Sequence, residues 1–482
     1  MASTMMPRIV STDEAGVVVA TFVPSRMDKR EAADGQEHVR IDVVRPPTSL
    51  STHLTSLLSI FLPTGYPHSV TPDYTPYQIY DSLQAFTSTI ASLLSSRAVL
   101  STMGVGDSSA TATLAILLST LQDTLGRVAT IVFAHRLGTA LEPECKMYRL
   151  LADVFNDAAM VLELLSPAFG PYGRVGVLAF ASALKALCGV AAGSSKASLS
   201  RHFARWGNLG ELNAKDGSQE TVIGLVGMGV GGWVVSRVGE GGETWVWLLG
   251  LLGVHLWCNW MAVRSVTMRT LNRQRAGLVM GEWIEGGTVL GPEEVRLRER
   301  VFERDGIVRD RMGNVLGWCR IGISFEDYLL QAGKGKRAGG HAFHVQQQVL
   351  NDVDNIDRGG QRGYLIHVDG RSRQCSIALG KRCEVRDQVK AWFTAYRALQ
   401  LLQHGQVEDS HREGLVQAVT DGTDDDSSPM GLTNLSSSVE QAAQAYADEA
   451  FPELAKRLEE VGWDLDTGAL ETRRGSRFAR MA

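Results

Sequence analysis

Several things are scarce in this chain of 482 residues, and each scarcity excludes something. There are six cysteines, at 145, 188, 258, 319, 375 and 383, and no two are spaced as CxxC. A zinc ribbon or a thioredoxin-like redox motif is therefore not expected, and a disulfide scaffold is excluded by the low density. Neither sign of charge dominates, with 48 basic against 53 acidic residues and a formal net charge of −5. A pI of about 6.2 gives no global support for nucleic-acid binding. The N-terminus lacks a basic flank followed by a long apolar run, so no secretory signal is expected. No Ser nucleophile elbow, Walker loop, HExxH or EF-hand pattern occurs, so no catalytic constellation and no metal site is expected. His341 and His344 lack a third ligand.

What is present is apolar material, 44% of the residues, enough for a core and too much for disorder. A mean hydropathy of −0.04 resembles that of an ordinary soluble protein, but an average conceals segregation. Residues 1–49 read as a strand-rich segment, with β-branched runs Gly16–Val23 and Val39–Val44. Residues 50–285 carry helical periodicity at about 77–101, 110–138, 146–166, 173–192, 196–206, 219–238 and 244–283. Residues 286–405 contain a charged helix at 292–304, strand-like runs Tyr364–Val368 and Gln374–Leu379, and a helix near Val385–Leu402. That order predicts a small α+β domain. The acidic, apolar-poor stretch 406–437 reads as a disordered insertion, and 438–482 as a terminal amphipathic helix with a basic tail. The expected fold is mainly α: a multi-helix bundle, partly membrane-embedded, with a short N-terminal β segment and the C-terminal α+β domain.

Thr244–Val263 is 20 residues without Asp, Glu, Lys or Arg. At about 1.5 Å rise per residue it spans a hydrocarbon core of about 30 Å. Arg264, Arg269, Arg273 and Arg275 follow it, and six of ten tryptophans lie between 233 and 283, as in an interfacial belt. A second candidate membrane helix, 221–238, is rich in glycine. Its Gly227-x-x-x-Gly231 spacing lets two helices approach closely. Gly227, Gly229 and Gly232 also satisfy GxGxxG, but no alternating strands accompany them, so a dinucleotide fold is not expected.

Two groups of polar residues stand out. Asp123 and Arg127 are spaced for pairing on one helix, and Asp153, Asn156 and Asp157 share one face of the next. Together they form a candidate polar path through the bundle; the plainer reading is a network that fixes helix register. Ser194–His202 reads as a small-residue loop opening a helix. Lys196, His202 and Lys215 are the candidate anion site there, since a helix N-terminus with lysine suits phosphate.

The helical half resembles the root UVB sensitive (RUS) family. The resemblance is carried by FLPTGYPHSVTPDYTPYQIYD at Phe61–Asp81 with Ser82-Leu-Gln-Ala85, and by Gly104-Val-Gly-Asp107. It continues in Lys146-Met-Tyr-Arg149, Ala152-Asp153 and Asn156-Asp157-Ala-Ala-Met160, then in Asn208 and Ala214-Lys-Asp-Gly-Ser-Gln-Glu-Thr221. It closes with Arg264-Ser265 and Thr270-Leu-Asn-Arg-Gln-Arg275. The match covers about 55–285, with a looser echo to about 402. Tyr80 and Tyr148 stand where the family pattern has Trp, and Gln122 where it has Arg. The resemblance implies a eukaryotic intracellular membrane protein, linked in plants to UV-B responses, auxin transport and pyridoxal phosphate homeostasis. It implies membrane lipid and other family copies, as homo- or hetero-oligomers, as partners, and it implies no reaction. The expected function is a non-enzymatic transporter-like or scaffold role in vitamin B6 homeostasis. The alternative is a soluble helical module binding pyridoxal phosphate or another phosphorylated metabolite. No cofactor is established by either, with pyridoxal phosphate the one the family brings forward, and no nucleic acid is expected.

Overall fold

The structure is a computed structural model. It describes residues 7–14, 16, 18–26, 39–45, 60–102, 112–239, 241–332, 335–337, 343–345, 347–358, 362–404 and 429–480. Its contacts divide the chain into two units, residues 1–98 with 197–262 and residues 99–196 with 263–482.

The first unit opens with strands β1 (Ile9–Thr12), β2 (Val18–Arg26) and β3 (Val39–Val44), paired antiparallel in that order. Two lie where the β-branched runs predict strands, and β1 is an addition. Helix α1 (Tyr74–Thr102) follows. The chain leaves for the second unit through α2 (Ala112–Leu137) and α3 (Cys145–Leu165). Helix α4 (Pro171–Phe203) ends in the first unit, and α5 (Leu209–Arg237) and α6 (Gly242–Ser265) complete it. The glycines of α5 allow the closest helix packing here. A Cβ on Gly227 would lie 2.9 Å from Thr89 Cβ, and one on Gly231 would lie 2.6 Å from Leu93 Cδ1. Close packing onto α1, rather than phosphate binding, is what this glycine pattern serves.

Three boundaries differ from the periodicity. The runs 173–192 and 196–206 are one helix, α4, because the small residues between them stay helical and Ser195 Oγ donates to the Ala191 carbonyl at 2.7 Å. Ser194–His202 therefore opens no helix. Helix α5 begins at Leu209, ten residues before the apolar periodicity at 219 sets in, so its first turns are polar. The run 244–283 is broken between α6 and α7 (Arg273–Gly286), where Asn272 caps α7 by accepting from the Arg275 N–H at 2.9 Å.

In the second unit, α2, α3 and the first part of α4 surround a core of Phe133, Leu141, Tyr148, Ala152 and Ala191. The larger core belongs to an α/β body. After α7 come α8 (Pro292–Arg298), β4 (Ile307–Arg309), β5 (Val315–Ile321) and α9 (Phe325–Gln331). Then follow β6 (Gly335–Arg337), β7 (Phe343–Val345), α10 (Gln347–Asp357), β8 (Tyr364–Asp369), β9 (Gln374–Gly380) and α11 (Val385–His404). The last elements are α12 (Pro429–Glu460) and β10 (Arg477–Phe478). Strand β9 is central. Antiparallel β8 lies along one edge; parallel β5 and then β10 share the other. Trp392, Phe393 and Tyr396 of α11 pack with Ala447 and Leu454 of α12 over one sheet face. Tyr328 and Leu329 of α9 and Val349 and Ile356 of α10 form a second cluster with Leu365 and Ala378.

The fold is thus mainly helical, with N-terminal strands and a small C-terminal sheet. Helix α12 begins at Pro429, upstream of the Ser438 start read from the sequence. The acidic residues Asp424–Asp426 and His341 lie outside the described residues.

Among the described residues, two helices are long and apolar enough to cross a membrane: Tyr172–Phe203 and Gly242–Ser265. The second contains the expected 244–263 span. The first replaces 221–238, which belongs to a helix with Glu211, Lys215, Asp216 and Glu220 in its first half.

Candidate functional site

The second unit holds a buried charged centre built by α3, α7 and the segment after α8. Lys146 Nζ lies 2.6 Å from Glu299 Oε2, and Arg275 Nη1 lies 2.7 Å from Glu299 Oε1. The three side chains are no more than 7% exposed. Burial alone would raise the Glu299 carboxyl, but Lys146 and Arg275 outweigh it and hold it below the usual range. Arg275 also donates to the Thr270 carbonyl at 2.6 Å. Asn272 Nδ2 reaches Glu144 at 3.1 Å. Burial pushes Glu144 up to about 7; Arg275 opposes this and the Glu299 charge adds to it.

Two cavities of about 500 Å³ each share Arg273, Asp305, Gly306 and Arg473 in their walls. One includes Glu144, Tyr148 and Arg136. The other opens against β5 and α9 and is lined by Trp318, Arg320, Ser324 and Arg474. Asp305 binds the shared wall together: it pairs with Arg273, accepts from Thr472 at 2.8 Å and meets Arg473 at 3.1 Å. Gly306 sits at φ +79°, and a Cβ there would lie 2.8 Å from the Cys319 carbonyl, so the turn that shapes both cavities requires glycine. The arrangement can hold an anion among arginines and can bind or release a proton at Glu144.

The residues singled out from the sequence fall elsewhere. Asp123 and Arg127 are both exposed on α2, and no ion pair joins them among the described residues. Asp153 is buried and pairs with Arg149, one turn earlier on α3, at 3.1 Å. Asp157 is buried on the same face, at 5% exposure, and Asn156 is half-buried. The α3 face is therefore a real buried polar stripe, but Asp123 and Arg127 do not extend it. Lys196 lies inside α4, whose interior N–H groups are already bonded, so the expected helix N-terminus for an anion is absent there. His202 is paired with Asp73 at 2.9 Å, and Lys215 donates to the Ile60 carbonyl at 2.9 Å. Each of these two has its own partner and they build no common site. Arg273 and Arg275, read as charges flanking a membrane span, are buried in ion pairs instead.

In the first unit, oxygens of Asp81, Asp216 and Glu220 come within 4.8 Å of one another, a donor set that could take a hard cation. Gln78 Nε2 donates to Asp216 at 2.7 Å. Sequence spacing could not show this set, since Asp81 is on α1 and the other two on α5. Glu144, Glu299 and Asp305 were likewise missed. The visible signal for two of them was the crowding of arginines and acids at 292–305, which the sequence presents only as a charged helix.

Residues 47–287 match the family model described as the vitamin B6 photo-protection and homoeostasis domain, and residues 340–473 match that described as root UVB sensitive protein, C-terminal. The chain is 42% identical over 255 residues to "RUS family member 1" of Dictyostelium discoideum, covering 51% of this chain and 47% of that protein. It is 38% identical over 248 residues to "Protein root UVB sensitive 3" of Arabidopsis thaliana, covering 51% of this chain and 56% of that protein. "Protein root UVB sensitive 2, chloroplastic" of the same plant is 30% identical over 261 residues, covering 54% of this chain and 59% of that protein. The alignments span about half the length of these curated relatives. No solved structure matches. With the expected motifs in place and both family models matched in order, the chain belongs to the root UVB sensitive family.

Proposed function

We propose that this chain is an intracellular membrane protein that serves vitamin B6 homeostasis without catalysing a reaction, as a transporter-like or scaffold protein. The observation that carries the membrane part is the exposure of its apolar helices. In the most apolar stretches of Tyr172–Phe203 and Gly242–Ser265, 22% and 39% of residues are buried. A soluble bundle buries such helices; water would be left against Val246, Trp247, Leu249, Val254 and Trp257 of α6, all exposed. Exposed Leu121, Leu125, Val128 and Ile131 on α2 and Leu225, Val226 and Met228 on α5 support the same reading. Lipid would be the natural partner of these surfaces, alongside further copies of family members. Carbonate extraction of membranes from cells expressing the chain tests this. The chain should stay in the pellet; release into the supernatant would remove the integral-membrane reading.

The vitamin B6 role is carried by the family. The transporter-like variant of it gains support from the buried stripe Arg149, Asp153 and Asp157 on α3, because buried charges in a lipid-facing bundle are expensive and tend to be functional. Asp157→Asn should then abolish uptake of vitamin B6 compounds into vesicles while the protein still inserts. Unchanged flux in that variant would overturn the transport role.

A second reading, a module that binds pyridoxal phosphate or another phosphorylated metabolite, is favoured by the arginine-lined cavities.

A further inference from the structure

We propose that the cavity between β5, α9 and the segment 473–476 is a binding site for a small phosphate ester carrying a planar aromatic ring. The proposal rests on the metabolite-binding reading and does not depend on whether the chain spans a membrane.

The site arises from the way β9 is shared. Strand β5 ends at Ile321 and β10 begins at Arg477 along the same edge of β9, leaving a gap between them. Two backbone segments close the gap: the Ile323 N–H donates to the Ile377 carbonyl at 3.1 Å, and the Ser476 N–H donates to the Gly322 carbonyl at 3.0 Å. This places Arg473 and Arg474 beside the exposed side of β5. Along β5, Leu316, Cys319 and Ile321 are buried, whereas Trp318 and Arg320 are exposed. By strand alternation Trp318 and Arg320 project from one face, toward the cavity that both line.

The charge in the cavity is unbalanced. Four cations, Arg273, Arg320, Arg473 and Arg474, meet two carboxylates, Asp305 and Asp327. Asp305 is already committed to Arg273, Thr472 and Arg473. Asp327 accepts from Ser324 Oγ at 2.7 Å. The guanidinium groups of Arg320 and Arg474 have no ion-pair or hydrogen-bond partner among the described residues. Two forked cations aimed at one cavity match the doubly charged oxygens of a phosphate monoester better than a lone carboxylate. Trp318, 43% exposed beside Arg320, offers an aromatic face to the rest of the ligand. No lysine lines the cavity, so capture of an aldehyde as a Schiff base is not expected there.

The test is calorimetric titration of the purified full chain with inorganic phosphate, phenyl phosphate, pyridoxal phosphate and pyridoxal. Phenyl phosphate should bind more tightly than inorganic phosphate, and pyridoxal, lacking the phosphate, should not bind. Arg320→Gln and Arg474→Gln should each weaken phenyl phosphate binding about tenfold. Both residues are exposed and unpaired, so both variants should melt as the parent does. Trp318→Ala should erase the preference for phenyl phosphate over inorganic phosphate. Unaltered affinity in both arginine variants, or no binding of either phosphate by the parent, overturns the proposal. A parent that ignores soluble esters but binds phosphatidic acid vesicles through the same two arginines also overturns it, and assigns the site to a lipid headgroup. Phenyl phosphate bound as predicted, with pyridoxal phosphate no tighter, upholds the site and removes the vitamin B6 assignment.

Discussion

Glu299 and Arg275 are joined at 2.7 Å with 6% and 2% of their side chains exposed, and Lys146 completes the group from α3. One carboxylate thus neutralises two cations that come from distant parts of the sequence. Removing one member of a buried ion pair costs about 3–5 kcal/mol, because the partner is left charged without water.

Glu299→Gln should therefore lower stability by about 3–5 kcal/mol at neutral pH, read as the shift in the urea midpoint of the purified chain. The pH dependence has a definite sign. The Glu299 carboxyl lies below its ordinary value when folded. Its contribution is present above the unfolded value near 4.5 and is lost as pH falls through the folded one. The gap between parent and variant should accordingly close in acid. A gap that stayed constant into acid would show that the charge is not what matters.

Glu144 behaves in the opposite way. Burial raises it from 4.5 to about 7, so the folded state favours the protonated acid. The stability it lends is fully present below about 4.5 and is lost as pH rises through about 7. Glu144→Gln keeps an acceptor for Asn272 and removes the ionisation. The variant should match the parent near pH 3.5 and exceed it above pH 8 by up to about 3 kcal/mol. Thermal melts at the two pH values decide it; an equal difference at both would refute the buried-acid account.

The glycines of α5 should divide into two classes. Gly227→Ala and Gly231→Ala place a Cβ 2.9 Å from Thr89 Cβ and 2.6 Å from Leu93 Cδ1, and should destabilise by about 1–3 kcal/mol. Gly229→Ala and Gly232→Ala meet nothing within 4 Å and should stabilise the helix by about 0.5–1 kcal/mol. Melting temperatures of the four variants check this directly. A dinucleotide loop would make all of them harmful to ligand binding and would not sort them by contact with α1.

Gly306→Ala should cost about 1–3 kcal/mol, since it adds a Cβ at positive φ and presses it against the Cys319 carbonyl. It should also weaken phenyl phosphate binding, because Arg273 Nη1 lies 3.8 Å from that Cβ position. Normal stability with normal binding would mean that the turn relaxes freely.

Local patterns in the sequence foretold local structure. The helix near Val385–Leu402 and the strand-like runs Tyr364–Val368 and Gln374–Leu379 reappear as α11, β8 and β9. Gly227 and Gly231 were legible as a close helix contact because their spacing alone fixes one face. The charged centre was not legible, because Lys146, Arg275 and Glu299 are brought together across 153 residues of chain. Lys196 misled for a local reason: Ser194 and Ser195 resemble a helix start, yet α4 runs straight through them. Asp123 and Arg127 misled because i, i+4 spacing permits a pair without compelling one on an exposed face.

Strand β10 joins β9 across about a hundred residues, and Trp463, Leu465 and Leu470 enter the same core just before it. On the ribosome, β5 and β9 are made long before the segment that closes the gap beside them. Until residues 463–478 emerge, that edge of β9 and the apolar floor around Leu290 and Trp392 lack their last cover. A premature stop between α11 and β10 would thus leave the family's first domain encoded in full, yet release a chain with an unfinished sheet edge. Such alleles should be read by the cell as misfolded protein rather than as a shortened working one.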